Sequence, residues 1–252
     1  MGFAAKKAMG APQAPKDNRL LAALPEESYE ALLPFLEPVQ LSLGKVLYES
    51  GGVQGYVYFP TSSIVSLLYV LENGSSAEIA VTGCEGLVGI ALFMGGETTP
   101  NRAVVQRAGE GSRIKAKALK QRFEAGGALQ LLLLRFTQAL ITQMTQTAVC
   151  NRHHSIDQQL CRWLLLSLDR LPANELVMTQ ELIANMLGVR REGVTEAAGK
   201  LQAEGLVEYS RGRITVLERA HLEARVCECY AVVRKEYDRL LPPAIAASAT
   251  AS

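Results

Sequence analysis

The sequence lacks any apolar run that approaches the roughly 18 residues of a membrane-spanning helix. Its apolar stretches, such as 90–94 and 131–134, are much shorter than that. No apolar segment follows the basic pair Lys6 and Lys7, so we expect no secretory signal peptide. The five cysteines are odd in number and include no Cys-x-x-Cys pair, which argues against a disulfide framework. We therefore expect a cytoplasmic protein that has no membrane partner.

An excess of either charge is also missing, since 26 Lys and Arg residues stand against 25 Asp and Glu residues. This balance excludes a histone-like basic protein and an acidic disordered tail. Histidine is scarce, with three in the chain and none between residues 38 and 119. No Ser/His/Asp set and no set of metal ligands is recognisable. We therefore predict neither an enzyme, such as one of the cupin jelly-roll type, nor a metal site.

The 252 residues divide into segments of different composition, and their number suits one to two domains. Residues 1–17 are rich in Ala, Gly, Pro and Lys, which predicts a disordered arm. Asn18 is a suitable cap for a short helix. Between residues 38 and 119, short runs of Val, Ile, Leu and Tyr alternate with turn residues, including the hairpin signal Asn73-Gly74. This pattern predicts a small jelly roll.

A long helix is predicted next, over residues 128–151. Its apolar residues recur at helical spacing, at Leu129, Leu132, Leu133, Phe136, Leu140, Met144 and Ala148. At 1.5 Å per residue the helix would be roughly 36 Å long, which exceeds one small domain. We expect one face to pack on the jelly roll and another to pack on a second copy of the chain, through residues 129–148. The simpler interpretation is a core helix of a monomer.

Residues 177–217 carry the most informative pattern, a helix-turn-helix followed by a two-stranded wing with arginines at its tip. Thr179 is a suitable cap for the first helix. Gly188 stands at the tight turn, where we expect a positive φ. The second helix exposes polar residues from its first turns, which is typical of DNA-binding domains. A winged helix that contacts another protein is the alternative.

The polar side chains of this motif suit DNA. Arginine donates to guanine O6 and N7, and glutamate accepts from cytosine N4. Other cations, hydroxyls and amides suit the phosphates. The predicted DNA-binding residues are Thr179, Gln180, Arg190, Arg191, Glu192, Thr195, Lys200, Arg211 and Arg213.

On these motifs the sequence resembles the Crp/Fnr family of bacterial transcription regulators. The resemblance runs from Asn18 to about Leu222, in the order sensor jelly roll, dimerisation helix, winged helix-turn-helix, and is most specific over 179–194. It implies a homodimer that reads palindromic double-stranded DNA, with Arg191 and Glu192 as the base-reading pair. RNA polymerase is a further partner that it implies.

The resemblance also implies an effector pocket, which cAMP-binding members build with a Gly-Glu pair and an Arg-Ser/Thr pair. Here Gly89 aligns with the ribose-binding Glu, and Ala103 replaces the hydroxyl residue after Arg102. Each lost polar partner should cost about 1–3 kcal/mol, so we do not expect cAMP sensing. Arg102 either holds another anion or is a structural arginine. The candidate pocket residues are Glu85, Gly89, Arg102, Ala103, Met144 and Thr145, and the effector is unknown.

Metal-containing sensors are not indicated. The cysteines stand at Cys84, Cys150, Cys161, Cys227 and Cys229, a spacing that does not predict four iron–sulfur ligands in one place. If Cys227 and Cys229 lie on one helix, their thiols point about 200° apart. His153 and His154 are interpreted as a hydrogen-bonded or solvated pair near the hinge between the domains. No cofactor is therefore predicted.

The predicted fold class is α+β, with an N-terminal double-stranded β-helix (jelly roll), a long central dimerisation helix and a C-terminal winged helix-turn-helix. The predicted segments are the arm 1–17, the sensor domain 18–126, the dimerisation helix 127–152, the DNA-binding domain 153–222, and a C-terminal helix and tail 223–252. The predicted function is sequence-specific, cAMP-independent regulation of transcription. The alternative is a receptor for a cyclic nucleotide or other small anion, whose sensor domain is the main activity.

Overall fold

A computed structural model describes residues 13–171 and 173–241 of the chain. The predicted arm lies mostly outside the described residues, which include a short 3-10 helix at Pro15–Asp17. Within the described part, no single helix is both long enough and apolar enough to cross a membrane. Helices 116–124 and 127–153 meet the two criteria only when they are counted as one segment, and the chain bends by 108° between them.

The first domain is an antiparallel jelly roll, as predicted. Its strands are β1 (Glu37–Leu41), β2 (Val46–Tyr48), β3 (Tyr56–Pro60), β4 (Ile64–Val70), β5 (Ser76–Thr82), β6 (Arg102–Arg107) and β7 (Gly109–Lys115). They form two sheets, ordered β1-β7-β3 and β2-β6-β4-β5, which we call the barrel. Apolar side chains from both sheets share one core, among them Phe59, Leu67 and Ile114. Gly74 lies at φ +83° between β4 and β5, which suits the predicted hairpin turn.

Two short helices, α1 (Arg19–Ala22) and α2 (Glu26–Leu32), precede the barrel. Asn18 caps α1 as predicted, because its side-chain oxygen accepts the first free backbone N–H groups of that helix. Its side-chain amide donates to Pro60 O and Gly86 O, each 2.8 Å away. This buried residue therefore both starts the helix and anchors it to the barrel.

The predicted long helix follows α3 (Ala116–Glu124) and is α4 (Gly127–His153). Most of its predicted apolar stripe is buried, namely Leu129, Leu132, Leu133, Phe136 and Leu140. Phe136 lies over Gly86, where an added Cβ would stand 2.2 Å from the ring. Glycine at that position therefore lets α4 lie close to the barrel.

The second domain is a winged helix-turn-helix, with one correction to the prediction. Its elements are α5 (Ile156–Leu168), β8 (Glu175–Val177), α6 (Gln180–Leu187), α7 (Arg191–Ala203), β9 (Val207–Ser210) and β10 (Arg213–Val216). The wing has three strands, ordered β8-β10-β9, instead of two. β8 spans only three residues, which is too short to show a strand periodicity in the sequence. Only its pairing with β10 reveals it.

The C-terminal extension forms two helices, α8 (Arg219–Arg225) and α9 (Glu228–Leu240), where one was predicted. α9 packs along α4 and also contacts α5. Tyr237 of α9 meets Phe136 of α4 edge-on, with ring centroids 6.4 Å apart. The extension therefore supports the long helix, a role that the sequence did not decide.

The winged domain also packs against the barrel of its own chain. One apolar cluster joins Trp163 of α5 to Ile64 and Val81 of the barrel. Glu78 of β5 is buried at this boundary, and burial raises its pKa to about 7. The two domains thus share a core that contains an ionisable group.

A buried arginine connects four parts of the molecule. Arg170 follows α5, and its Nε lies 2.6 Å from Oε1 of Glu85, which follows β5. One of its terminal nitrogens donates to Oε1 of Gln143 on α4 at 2.8 Å. The guanidinium also lies 5.7 Å from the ring centroid of Tyr237 on α9. Only 4% of Arg170 and 7% of Glu85 are exposed, so water screens this ion pair poorly.

We expect Glu85→Ala to lower the free energy of unfolding by about 3–5 kcal/mol, because it leaves the Arg170 charge buried without a partner. The control is Glu49→Ala, which removes the partner of the more exposed Arg102 and should cost less than about 1 kcal/mol. Urea denaturation followed by circular dichroism measures both. If both variants lowered the free energy of unfolding by the same amount, the buried ion pair would contribute no more to stability than the exposed one.

Candidate nucleic-acid interface

A tight turn sets the two helices of the motif against each other. The hydroxyl of Thr179 caps α6 by accepting the Leu182 N–H at 3.3 Å. Gly188 ends α6 at φ +66°, as expected for the turn. Arg190 has an extended backbone and stands immediately before α7. The chain therefore enters α7 at the surface of the domain.

The first turns of α7 present charged and polar groups to solvent. Buried residues, including Val194, Ala197 and Leu201, hold the opposite face against the domain core. The exposed face carries Arg191, Glu192, Thr195 and Glu196. Within the described part of the chain, no ion pair engages Arg190 or Arg191. Both guanidinium groups are therefore available to an external acceptor.

A hydrogen bond links the two helices at this surface. The hydroxyl of Thr195 donates to Oε1 of Gln180 at 2.7 Å. Gln180 is the first residue of α6, so this bond holds the start of α6 against α7. Because the bond uses the carbonyl oxygen of the Gln180 amide, its NH₂ group remains a donor.

A hollow of about 440 Å³ lies between the start of α6, α7 and the wing. Its lining includes Thr179, Gln180 and Arg191, together with Tyr209 and Gly212 of the wing. The Tyr209 hydroxyl donates to the carbonyl of Met178 at 2.9 Å, which holds the wing against the chain that precedes α6. Sequence reasoning missed Tyr209, although an aromatic residue on a wing strand was an available signal.

The wing and the end of α7 carry the other predicted cations. Arg211 lies at φ +52° in the turn between β9 and β10 and is exposed. Arg213 forms an ion pair with Glu175 of β8. Lys200 lies farther along α7, 2.8 Å from Glu196 and 4.0 Å from Asp157 of α5. The predicted cations therefore form two groups. Arg190, Arg191 and Arg211 have no ion pair among the described residues. Lys200 and Arg213 are already paired with carboxylates on the surface.

A second candidate site is a cavity of about 280 Å³ between the barrel and α4. Gly89 lines it at φ +116°, a backbone conformation that ends the extended chain and starts a short 3-10 helix. Residues 86–93, one of the short apolar runs of the barrel segment, therefore contain a 3-10 helix at Ile90–Leu92 where the run alone would suggest a strand. Met144 of α4 also lines the cavity. Gln54 also lines the cavity, and its side-chain nitrogen and oxygen are both buried without a hydrogen-bond partner among the described residues.

Of the six predicted pocket residues, Gly89 and Met144 line this cavity and the other four lie outside its lining. Glu85 forms the buried ion pair with Arg170 instead. Arg102 pairs with Glu49 on the surface of the barrel, 3.2 Å away. Ala103 is buried inside the barrel, and Thr145 is exposed on the outer face of α4. Their sequence neighbourhood did not show in which direction these side chains point.

Four possible metal ligands lie close together, an arrangement that the spacing of the cysteines in the sequence did not predict. Cys150, His154, Cys227 and Cys229 each bring one ligand atom to the same place, and these atoms lie within 4.8 Å of one another. Cys227 has an extended backbone, at φ −70° and ψ 162°, and stands immediately before α9. The angular relation assumed for two thiols on one helix therefore does not apply.

The chain is similar to known proteins in its C-terminal domain and in its overall fold. Residues 158–225 match the model of the Crp-like helix-turn-helix domain. No curated protein matches the chain in sequence. Among solved structures, a transcriptional regulator of the Crp/Fnr family from Eubacterium rectale is similar, with 19% identity, a TM-score of 0.61, and coverage of 80% of this chain and 94% of that chain.

Two further structures are similar over most of their length. FixK2 from Bradyrhizobium japonicum has 16% identity and a TM-score of 0.64, over 76% of this chain and 98% of that chain. The c-di-GMP responsive global regulator CLP from Xanthomonas campestris has 17% identity and a TM-score of 0.60, over 75% of this chain and 98% of that chain. At such low identity these matches establish the fold.

Proposed function

We propose that this chain, which has the fold of the Crp/Fnr transcription regulators and a Crp-like helix-turn-helix domain, binds double-stranded DNA as a homodimer. The observation that carries the proposal is the exposed start of α7. Arg190 and Arg191 reach solvent there, and no carboxylate of the described chain neutralises them. The two free arginines give this surface positive groups that suit the negative charge of DNA.

Base reading is assigned to the first turn of α7. In helix-turn-helix proteins the second helix lies in the major groove, and its N-terminal residues contact the base edges. Arg191 would donate to guanine O6 and N7, and Glu192 would accept from cytosine N4. Both side chains are exposed in the free chain, so neither has to leave a buried site.

Phosphate contacts are assigned to the surrounding groups. The exposed Arg190 and Arg211 suit phosphates directly, and the hydroxyl of Thr179 and the amide of Gln180 supply neutral donors. Lys200 and Arg213 would exchange surface carboxylates for phosphates. Exposed ion pairs contribute only about 0–1 kcal/mol, so this exchange costs little.

We expect Arg191→Ala to weaken binding to a fragment of the gene's own upstream region by about 1–3 kcal/mol per site. Fluorescence anisotropy at fixed salt concentration measures the Kd. The control is Arg239→Ala, which removes an exposed arginine of α9 that pairs with Glu236 and lies outside the motif. Binding that is sensitive to salt but equal in both variants would show phosphate contact alone and would remove the base-reading assignment.

The outer face of α4 supports dimerisation. Leu131, Leu134 and Ile141 are 51%, 48% and 43% exposed, although they are large apolar residues. Together with the exposed Gln138 and Thr145, these residues recur along α4 at alternating intervals of three and four residues. That spacing is typical of a helix that pairs with another helix. A second copy of α4 would remove this apolar stripe from water.

We expect Ile141→Glu to convert the dimer into a monomer, because it places a charge in the middle of the paired helices. The control Val53→Glu changes an apolar residue that is 76% exposed in a barrel loop and should leave the dimer intact. Light scattering coupled to size-exclusion chromatography gives the mass of each. A wild-type monomer, or a dimer that survives Ile141→Glu, would exclude pairing through this face.

The cavity beside α4 supports an uncharged effector in preference to a cyclic nucleotide. Among the residues that the structure describes, no Arg, Lys or His contributes to its lining. A phosphate in such a cavity would lose water without gaining a counter-charge. Its unpaired polar group is the Gln54 amide, which both donates and accepts hydrogen bonds. An apolar molecule with one polar group matches this lining, which also argues against the alternative of an anion receptor.

We expect cAMP to leave the melting temperature of the protein unchanged. A ligand at about 100 times its Kd would raise the free energy of unfolding by about 2.7 kcal/mol, which thermal unfolding detects readily. Arg102→Ala is measured alongside the wild type. A rise in Tm with cAMP that disappears in Arg102→Ala would show that this arginine holds an anion after all.

A further inference from the structure

Three cysteines and one histidine meet where the long helix ends. Cys150 and His154 are one turn apart at the end of α4, and Cys227 and Cys229 stand at the start of α9. The three cysteines are almost completely buried, at 0%, 3% and 1% exposure. The two pairs are separated by more than seventy residues of chain, and the fold alone brings them together.

The spacing of the ligand atoms suits a tetrahedral metal ion. Zinc binds sulfur at about 2.3 Å and imidazole nitrogen at about 2.0–2.1 Å, so tetrahedral sites separate two sulfurs by about 3.8 Å and a sulfur from a nitrogen by about 3.6 Å. Here the sulfurs of Cys150 and Cys227 are 3.6 Å apart. The sulfur of Cys229 lies 3.6 Å from Nδ1 of His154. An ion would therefore need only small shifts of the side chains.

The histidine is oriented for coordination. Its Nδ1 faces the cysteines, and its Nε2 lies 3.3 Å from a carboxylate oxygen of Glu228. A carboxylate on the far nitrogen holds the proton there and leaves the lone pair of the near nitrogen for the metal. Glu228 lies between the two cysteines in sequence, so one short segment supplies two thiols and the group that orients the imidazole.

We propose that Cys150, His154, Cys227 and Cys229 form a zinc site that fastens α9 to the end of α4. Three sulfurs and one nitrogen in a closed, buried arrangement are typical of structural zinc. Each protonated thiol would lose its proton to solvent as its sulfur binds the ion. The site lies at the junction of α4 and α5, so the ion would stiffen the connection between the barrel and the winged domain.

The surroundings suit the charge of such a site. Three thiolates and one Zn²⁺ together carry one negative charge. Arg162 of α5 is close enough to Cys150 and Cys229 for its positive charge to attract their thiolates. Arg162 is itself buried and donates to the hydroxyl of Thr147. Because a thiol must lose its proton to bind zinc, zinc binding should weaken as the pH falls.

The 252-residue chain, reduced and stripped of metal, is titrated with Co²⁺ and then with Zn²⁺. We expect one Co²⁺ per chain, with the d–d and thiolate charge-transfer bands of a tetrahedral sulfur-rich site, and displacement by one Zn²⁺. Cys229→Ser should abolish these bands. Cys84→Ser, which changes a half-buried cysteine outside the cluster, should retain them. Glu228→Gln should weaken zinc binding about 10–100-fold while preserving the cobalt bands.

Several results would overturn the proposal. Reduced wild-type protein that binds less than one Co²⁺ per chain, or binds it octahedrally, excludes the site. Bands that persist in Cys229→Ser place the metal elsewhere. A disulfide between Cys150 and Cys227, found by mass spectrometry in freshly isolated protein, would assign the pair to redox chemistry. Circular dichroism shows whether Cys229→Ser folds. If it does not, the number of bound thiolates is still obtained from the intensity of the charge-transfer band of the wild-type protein.

Discussion

The buried ion pair between Arg170 and Glu85 is the contact on which the arrangement of the domains depends. Both charges have left water, so each needs the other and the hydrogen bonds around them. Those bonds come from the barrel, from Gln143 on α4 and from the end of α5, and Tyr237 of α9 covers the group. A rearrangement that separated these elements would leave a charge unpaired in an apolar interior. The junction therefore selects one relative position of barrel, long helix and winged domain.

The long helix can serve several partners because its surface is divided among them. One face buries Phe136 and its neighbours against the barrel, which Gly86 permits by leaving room for the ring. Another face meets α9. The outer face keeps Leu131 and Ile141 exposed in the single chain. A change in the cavity beside Met144 would thus act on the same helix that carries the proposed dimer interface and ends at the cysteine cluster. Any effector must bind one arrangement of these parts more tightly than another to shift their populations.

Local patterns in the sequence predicted the elements that depend on local physics. The glycine at 188, the cap at Thr179 and the apolar spacing of both helices act within a few residues of one another, so the helix-turn-helix was recognisable. The stripe on α4 was recognisable for the same reason. Side-chain directions in the sensor pocket were not, because Glu85 and Arg102 have partners distant in the chain. The third wing strand was missed because β8 acquires its identity only from its partner.

The sequence by itself determined the order of the domains, the motif that reads DNA in the proposal, and the exposed cations at the start of α7. These follow from composition, periodicity and turn chemistry, which neighbouring residues establish. Only the tertiary structure decided which charges are paired, which face of α4 remains open, and where the cysteines meet. Cys150 and Cys227 are far apart in sequence, and Cys227 escapes the helical geometry because it stands just before α9. Contacts between distant segments depend on how whole elements pack, and no local pattern records that packing.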